Sequence, residues 1–354
     1  MEEEEVKDEL KILKTPEKKK RFLLFLGAFL FFNLFVFGTF YFSIKNNGSL
    51  SETASKANEV SGVLPTPTPF PFQELTIPYL RQRSYESNLS EMREVGSRNS
   101  GFTSYLASYT SDRLRINGLL TVPPGKKPVG GWPAIVFVHG YIPPQNYQTL
   151  ENYSVYVDYL AKNGFVVFKI DLRGHAKSEG EPGGGYYSSD YIIDTLNARA
   201  ALQASDFVNP DAIGLWGHSM AGNVIARALA ASPQIPAIVI FAGAVYTYSD
   251  FSEFSIEDNS YQPPPSDSLS RKKRNEMFEK YGQFDPSSDF WKQVPMTNYL
   301  DGIKGAISLN HALDDAVVDI RYSRNFNSLL DQTSIPHELN EYPSGGHNLS
   351  GAIF

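Results

Sequence analysis

Three kinds of side chain in this 354-residue sequence could together do covalent chemistry: a serine set among small residues, a histidine near the carboxyl end, and two adjacent aspartates. The serine lies in Gly217-His218-Ser219-Met220-Ala221-Gly222. Small residues two before and two after it suit the strand–turn–helix elbow that lifts a serine hydroxyl above a sheet edge. Ala221 stands where glycine is commoner, and Gly222 is available for close helix packing. A hydroxyl is a weak nucleophile and needs a base oriented by an acid. On such an architecture the order is serine, acid, histidine, with each partner in a loop after a strand. Six histidines test this order. His139, His175 and His218 come too early, His311 ends an expected strand, and His337 lies inside another. His347, in Ser344-Gly345-Gly346-His347, is the expected base. Asp314 and Asp315, in the segment His311–Val318, are the candidate acids. The oxyanion of acyl transfer also needs two donors. Met220 N–H follows from the elbow, and Tyr141 N–H, in the loop opening His139-Gly140-Tyr141, is the expected second.

These loops need strands to carry them. Ala134–Val138, Phe165–Ile170, Ala212–Trp216 and Ile235–Phe241 are short apolar runs of the kind buried in a parallel sheet. Between them lie helical stretches near 151–163, 188–204 and 221–231, so the alternation reads as βαβ units. Tyr105–Tyr109 and Leu114–Val122 flank a turn and read as a hairpin. The alternation stops between about 244 and 298, where Pro263-Pro264-Pro265 and a charged helix near 268–281 suggest an inserted cap. It resumes with Ile303–Leu309, a helix near 320–330 and a last strand, Pro336–Tyr342. The expected fold class is α/β, a mainly parallel sheet flanked by helices.

The N-terminal fifth reads differently. Phe22–Ile44 carries no charge, and Asn33 is its one strongly polar side chain. As a helix it would cover roughly 35 Å, enough for a hydrocarbon layer of ~30 Å. It is too long for the apolar region of a cleaved signal peptide. Lys18, Lys19, Lys20 and Arg21 precede it and only Lys45 directly follows, so residues 1–21 are expected in the cytoplasm, 22–44 in the membrane as a transmembrane helix, and the chain after residue 45 outside. Residues 45–72, with Pro65-Thr66-Pro67-Thr68-Pro69, read as a tether, and 73–354 as the catalytic domain. Hydrophobic residues at 42% and a net charge of −7 describe a globular chain without a broadly basic surface, which excludes nucleic acid as a partner. With no cysteine, disulfides and thiolate metal sites are excluded, and the expected chemistry needs neither metal nor cofactor. Asn348-Leu349-Ser350 is a formal glycosylation acceptor beside the expected base. A glycan there would obstruct the site, so this layout fits a prokaryotic plasma membrane better than a eukaryotic secretory route.

Residues 100–354 resemble the α/β-hydrolase superfamily and, within it, the catalytic domain of prolyl oligopeptidase-family serine peptidases. The marks are His139-Gly140, Asp171-Leu172-Arg173-Gly174-His175 with Ser178, Gly217-His218-Ser219, and the spacing of His311, Asp315 and Val318. That spacing in the family implies Asp315 as the acid. Ala221, Ala312 and Asp319 depart from the family pattern. About 60 residues between the tether and Ala134 are too few for the propeller that gates large members, which needs at least about four blades, so gating would fall to the cap. The resemblance implies a peptidase cleaving short peptides through an acyl-enzyme. A carboxylesterase or acyl thioesterase on the same residues, and a catalytically inactive binding module, are the competing readings.

Overall fold

The computed structural model describes residues 69–96, 101–183 and 185–351, and these form one nine-stranded sheet with its helices. The strands are β1 (Ser90–Glu94), β2 (Thr103–Ser111), β3 (Leu114–Val122), β4 (Trp132–Val138), β5 (Val166–Ile170), β6 (Val208–His218), β7 (Ala237–Phe241), β8 (Ala306–Ala312) and β9 (His337–Tyr342). Their spatial order is β1-β2-β3-β5-β4-β6-β7-β8-β9. Pairing is antiparallel from β1 to β5 and parallel from β5 to β9. The β2–β3 hairpin turns through Asp112 and Arg113 at φ 50° and 68°, the left-handed pair that matches the twist of two-residue hairpins.

The helices are α1 (Ile77–Gln82), α2 (Ser154–Lys162), α3 (Asp190–Gln203), α4 (Met220–Ala231), α5 (Asp250–Glu253), α6 (Leu269–Tyr281) and α7 (Arg321–Leu330). The apolar runs are continuous because both faces of the parallel strands are covered. Successive strand residues point to opposite faces. Val136, Phe168, Leu215 and Ile240 therefore pack with α3, α4 and α7, whereas Phe137, Val167, Trp216 and Phe241 pack with α2. Every residue of α4, the helix behind the elbow, is buried.

The inserted region has its own aromatic cluster, in which Trp291, Phe290, Met277 and Tyr248 are buried. Phe70 and Phe72 pack on it and Tyr281 Oη donates to Pro71 O at 2.8 Å, so packed chain begins just ahead of residue 73. Two other features differ from the sequence reading. Strand β8 starts at Ala306 rather than Ile303, because Ile303 N still closes a turn onto Leu300 O and pairing with β7 begins at Ala306 opposite Ala237. Strand β1 and helix α1 are additions too short to announce themselves. The span Phe22–Ile44 and nearly all of the tether lie outside the described residues. Among the described residues, no helix is long and apolar enough to cross a membrane.

Candidate active site

Ser219 sits in the single-residue turn between β6 and α4 with φ 56° and ψ −121°. That conformation costs a side-chain-bearing residue about 1–3 kcal/mol, and the surroundings must impose it. They do so with Ser219 N donating to Phe241 O at 2.9 Å and Gly222 N donating to Ser219 O at 2.8 Å. A Cβ at Gly217 would lie 2.9 Å from Ala221 O, which is why glycine is needed there. One at Gly222 would lie 2.7 Å from Gly243 Cα, so Gly222 lets α4 approach the end of β7. Ala221 fits without exposure. The Ser219 side chain is half-buried and reachable from solvent.

The candidate acid and base meet. His347 Nδ1 lies 2.9 Å from Asp315 Oδ2. A carboxylate accepts, so Nδ1 carries the proton and Nε2 is left with its lone pair. The Asp315 side chain is fully buried, accepts from the Val317 and Val318 amides at 2.8 and 3.0 Å, and lies 3.2 Å from His311 Nε2, which is shared with Val318 O at 3.0 Å. Burial alone would push its carboxyl up. The hydrogen bonds from His311, His347 and the Val318 amide outweigh burial and hold it well below the ordinary carboxylate range. The spacing of His311, Asp315 and Val318 thus has a physical cause, since both neighbours donate to the same carboxylate. Among the described residues neither Ser219 Oγ nor His347 Nε2 takes a hydrogen-bond partner, so both stay open to a substrate. Their elements do touch. His218, directly before Ser219, hydrogen-bonds through Nε2 to His347 O at 2.8 Å, with ring centroids 4.5 Å apart.

Asp314 points elsewhere. It accepts from Gly346 N at 2.8 Å and Gly345 N at 3.3 Å, so it holds the backbone of the loop that bears His347. The same loop is held by Tyr156 Oη, which donates to Asn348 O, and by fully buried Leu349. Asn348 itself is exposed.

The two candidate oxyanion donors are free. Among the described residues neither Met220 N–H nor Tyr141 N–H donates to a protein oxygen. Gly140 N–H is occupied, donating to Tyr153 Oη at 3.0 Å, while His139 Nδ1 donates to Gly140 O at 2.7 Å. That second bond fixes the Gly140–Tyr141 peptide, so the Tyr141 N–H points away from His139.

A cap segment spans these loops. Glu257 N donates to Val317 O at 2.7 Å and Asp319 N to Ser255 O at 3.4 Å, around an Ile256–Val318 bridge. At its other end Gln262 N donates to Tyr141 Oη at 2.8 Å. Residues 255–262 therefore run from the acid loop to the oxyanion loop. Asp319, where the family commonly has proline, supplies an amide that proline lacks. The sequence reading missed Tyr153, the loop-holding role of Asp314 and this segment. The adjacency of two aspartates was a usable signal for Asp314; the other two had none.

A family model described as serine aminopeptidase, S33, matches residues 133–278. Among solved structures, acetyl xylan esterase 1 from Thermoanaerobacterium sp. is similar at TM-score 0.53 and 20% identity, over 79% of this chain and 89% of that one. The acylaminoacyl peptidase of Pyrococcus horikoshii matches at TM-score 0.53 and 18% identity, over 72% of this chain and 39% of that one. Dipeptidyl peptidase 4 of Porphyromonas gingivalis matches at TM-score 0.51 and 19% identity, over 72% and 33%. The fold is that of the α/β-hydrolases. The two peptidases and the family match over residues 133–278 agree with the resemblance to prolyl oligopeptidase-family hydrolases. Esterases and peptidases stand equally near it.

Proposed function

We propose that the protein is a membrane-anchored serine peptidase acting on short peptides, with Ser219 as nucleophile, His347 as general base and Asp315 as its orienting acid. In this reading Ser219 Oγ attacks a carbonyl while His347 Nε2 takes its proton. Asp315 keeps the imidazole in the tautomer that leaves Nε2 bare. The amides of Met220 and Tyr141 donate to the oxyanion. Collapse expels the leaving group, protonated by His347, and water then cleaves the acyl-enzyme by the same steps reversed. The observation that carries the mechanism is the His347–Asp315 hydrogen bond at 2.9 Å, on a loop joined to the residue before a strained serine. The segment 255–262, tied at both ends across the catalytic loops, supports short substrates over folded proteins.

A carboxylesterase is the second reading. It is favoured by the match that covers 89% of an acetyl xylan esterase, against 39% of the acylaminoacyl peptidase. Anchoring through Phe22–Ile44, with the catalytic domain on the outer face of a plasma membrane, completes the proposal. The test compares release of p-nitroaniline from aminoacyl-proline anilides with hydrolysis of p-nitrophenyl esters. Anilide turnover with kcat/KM at or above that for the ester supports the peptidase. Ester turnover alone overturns it in favour of the esterase, and failure of a fluorophosphonate to label Ser219 overturns both.

A further inference from the structure

Three of the catalytic loops meet at a pair of side chains that the triad does not use. Tyr153 stands at the head of α2 and His218 ends β6. Gly140 N–H, on the oxyanion loop, lies 3.0 Å from Tyr153 Oη. Tyr153 Oη lies 2.7 Å from His218 Nδ1, and His218 Nε2 lies 2.8 Å from His347 O. Burial keeps the His218 ring neutral, and for a neutral ring only one arrangement of protons satisfies all three bonds. The Gly140 amide can only donate, so Tyr153 Oη accepts from it and gives its own proton to His218 Nδ1. The His347 carbonyl can only accept, so His218 carries its proton on Nε2.

Two more observations mark the pair as set in place. Tyr153 has φ 61° and ψ 17°, a left-handed conformation that a bulky aromatic residue rarely adopts. A Cβ at Gly140 would lie 2.8 Å from Tyr153 Oη and 3.0 Å from His218 Nδ1, so the oxyanion loop is packed directly onto the pair. Resting on the triad reading above, we propose that Tyr153 and His218 are positioning residues. They form a hydrogen-bonded strut that sets the Tyr141 amide and the His347 imidazole against Ser219. Neither touches the reacting atoms. Each acts through the loop it holds, because misplacing a donor or base by about 1 Å is enough to slow acyl transfer by about 100-fold.

The test uses the full chain and p-nitrophenyl acetate. Tyr153→Phe keeps the ring and removes the hydroxyl. It should lower kcat by about 10- to 100-fold with KM changed less than about 3-fold. His218→Leu should do the same, and the double variant should fall no further than the worse single one, since both break one strut. A merely structural pair would leave kcat of the folded fraction unchanged and lower the unfolding temperature instead. Nitrogen-15 spectra of histidine-labelled wild type give a readout independent of any variant's folding. His218 should hold a neutral ring protonated at Nε2 from pH 5 to 9. A titrating or Nδ1-protonated His218, or an unchanged kcat in Tyr153→Phe, overturns the proposal. Ser219→Ala in the same assay separates the two readings. Activity surviving in it sinks the triad, whereas a dead Ser219→Ala beside a fully active Tyr153→Phe sinks only the strut.

Discussion

The loop bearing His347 and the cap segment bearing Gln262 are both irregular chain over one sheet edge, yet they are held by different forces. In the base loop almost every residue is fixed by a directional bond: Gly345 and Gly346 to Asp314, His347 to Asp315 and His218, and Asn348 to Tyr156. The cap rests largely on aromatic packing, such as the Tyr281–Phe290 stack at 3.9 Å, and its backbone bonds to the body are spread out, near Ile256 and Gln262 and at Phe254 and Leu269. Dispersion contacts are individually weak and tolerate sliding, whereas a hydrogen bond weakens steeply when bent. Chemistry, which needs placement to a fraction of an ångström, is built on the first kind of support. Access, which needs movement, is built on the second.

That contrast breaks first if the activity does not depend on the rigid loops. Ser219→Ala and His347→Ala should each lower kcat by about 10⁴- to 10⁶-fold with unfolding temperatures near wild type, since triad members act as a unit. Steady-state kinetics beside thermal melts decide it.

The adjacent aspartates sharpen the comparison next. Asp315→Asn should lower kcat by about 10⁴-fold, because an amide cannot hold the imidazole in the reactive tautomer. It also turns an N–H toward the donors that the carboxylate now receives. Asp314→Ala should cost only about 10-fold, by freeing the Gly345 and Gly346 amides and loosening the loop. Equal losses from the two substitutions would show that holding the loop matters as much as orienting the ring.

Acid stability comes third. Burial, reinforced by the neighbouring His347, lowers the His218 imidazole to about 3. Its unfolded value is about 6.5. The unfolded chain therefore binds one more proton here between those limits. Stability is fully present above pH ~6.5 and falls by about 1.4 kcal/mol per unit as pH drops toward 3. Buried His139 and His175 are also lowered and act in the same direction. Asp171, raised by burial to about 6, opposes them. Urea unfolding of His218→Leu between pH 4 and 6.5 should lose one proton's worth of this slope. An unchanged slope would mean that His218 is not buried neutral.

How much of this was legible in the sequence depended on range. Ser219 and its small neighbours are a local signal, and His347 followed from chain order, so the residues placed around Asp315 could be named in advance. The apolar runs of β4 to β7 were equally readable because both sheet faces are covered. Tyr153 was not readable. Its role arises only where the head of α2 meets the end of β6, and nothing near it in the chain distinguishes it from other tyrosines. The segment 255–262 was opaque for the same reason, since its partners, Val317 and Tyr141, lie on two distant loops. The acid's spacing from His311 and Val318 could be recognised as a pattern, but its cause is the two donors they turn onto one carboxylate.

The smallest effect tests the cap side of the comparison. Gln262 N–H donates to Tyr141 Oη, and the Gln262 side chain also bonds to Gln145, so this residue ties the free end of the cap segment to the oxyanion loop. Gln262→Pro removes the amide donor at a position already followed by Pro263-Pro264-Pro265, where a further proline fits extended geometry. The bonds at Glu257 and Asp319 remain, so the segment should swing rather than unfold. Because it leaves the triad and both oxyanion amides untouched, kcat on p-nitrophenyl acetate should stay within about 2-fold, the change expected when only an exposed hydrogen bond is lost. If the segment gates entry, longer acyl or peptide substrates should gain about 3-fold in kcat/KM, again the scale of one such bond. A loss of kcat on the small ester would mean that the segment helps to place the Tyr141 amide. The cap would then belong with the rigid loops rather than with the part that moves.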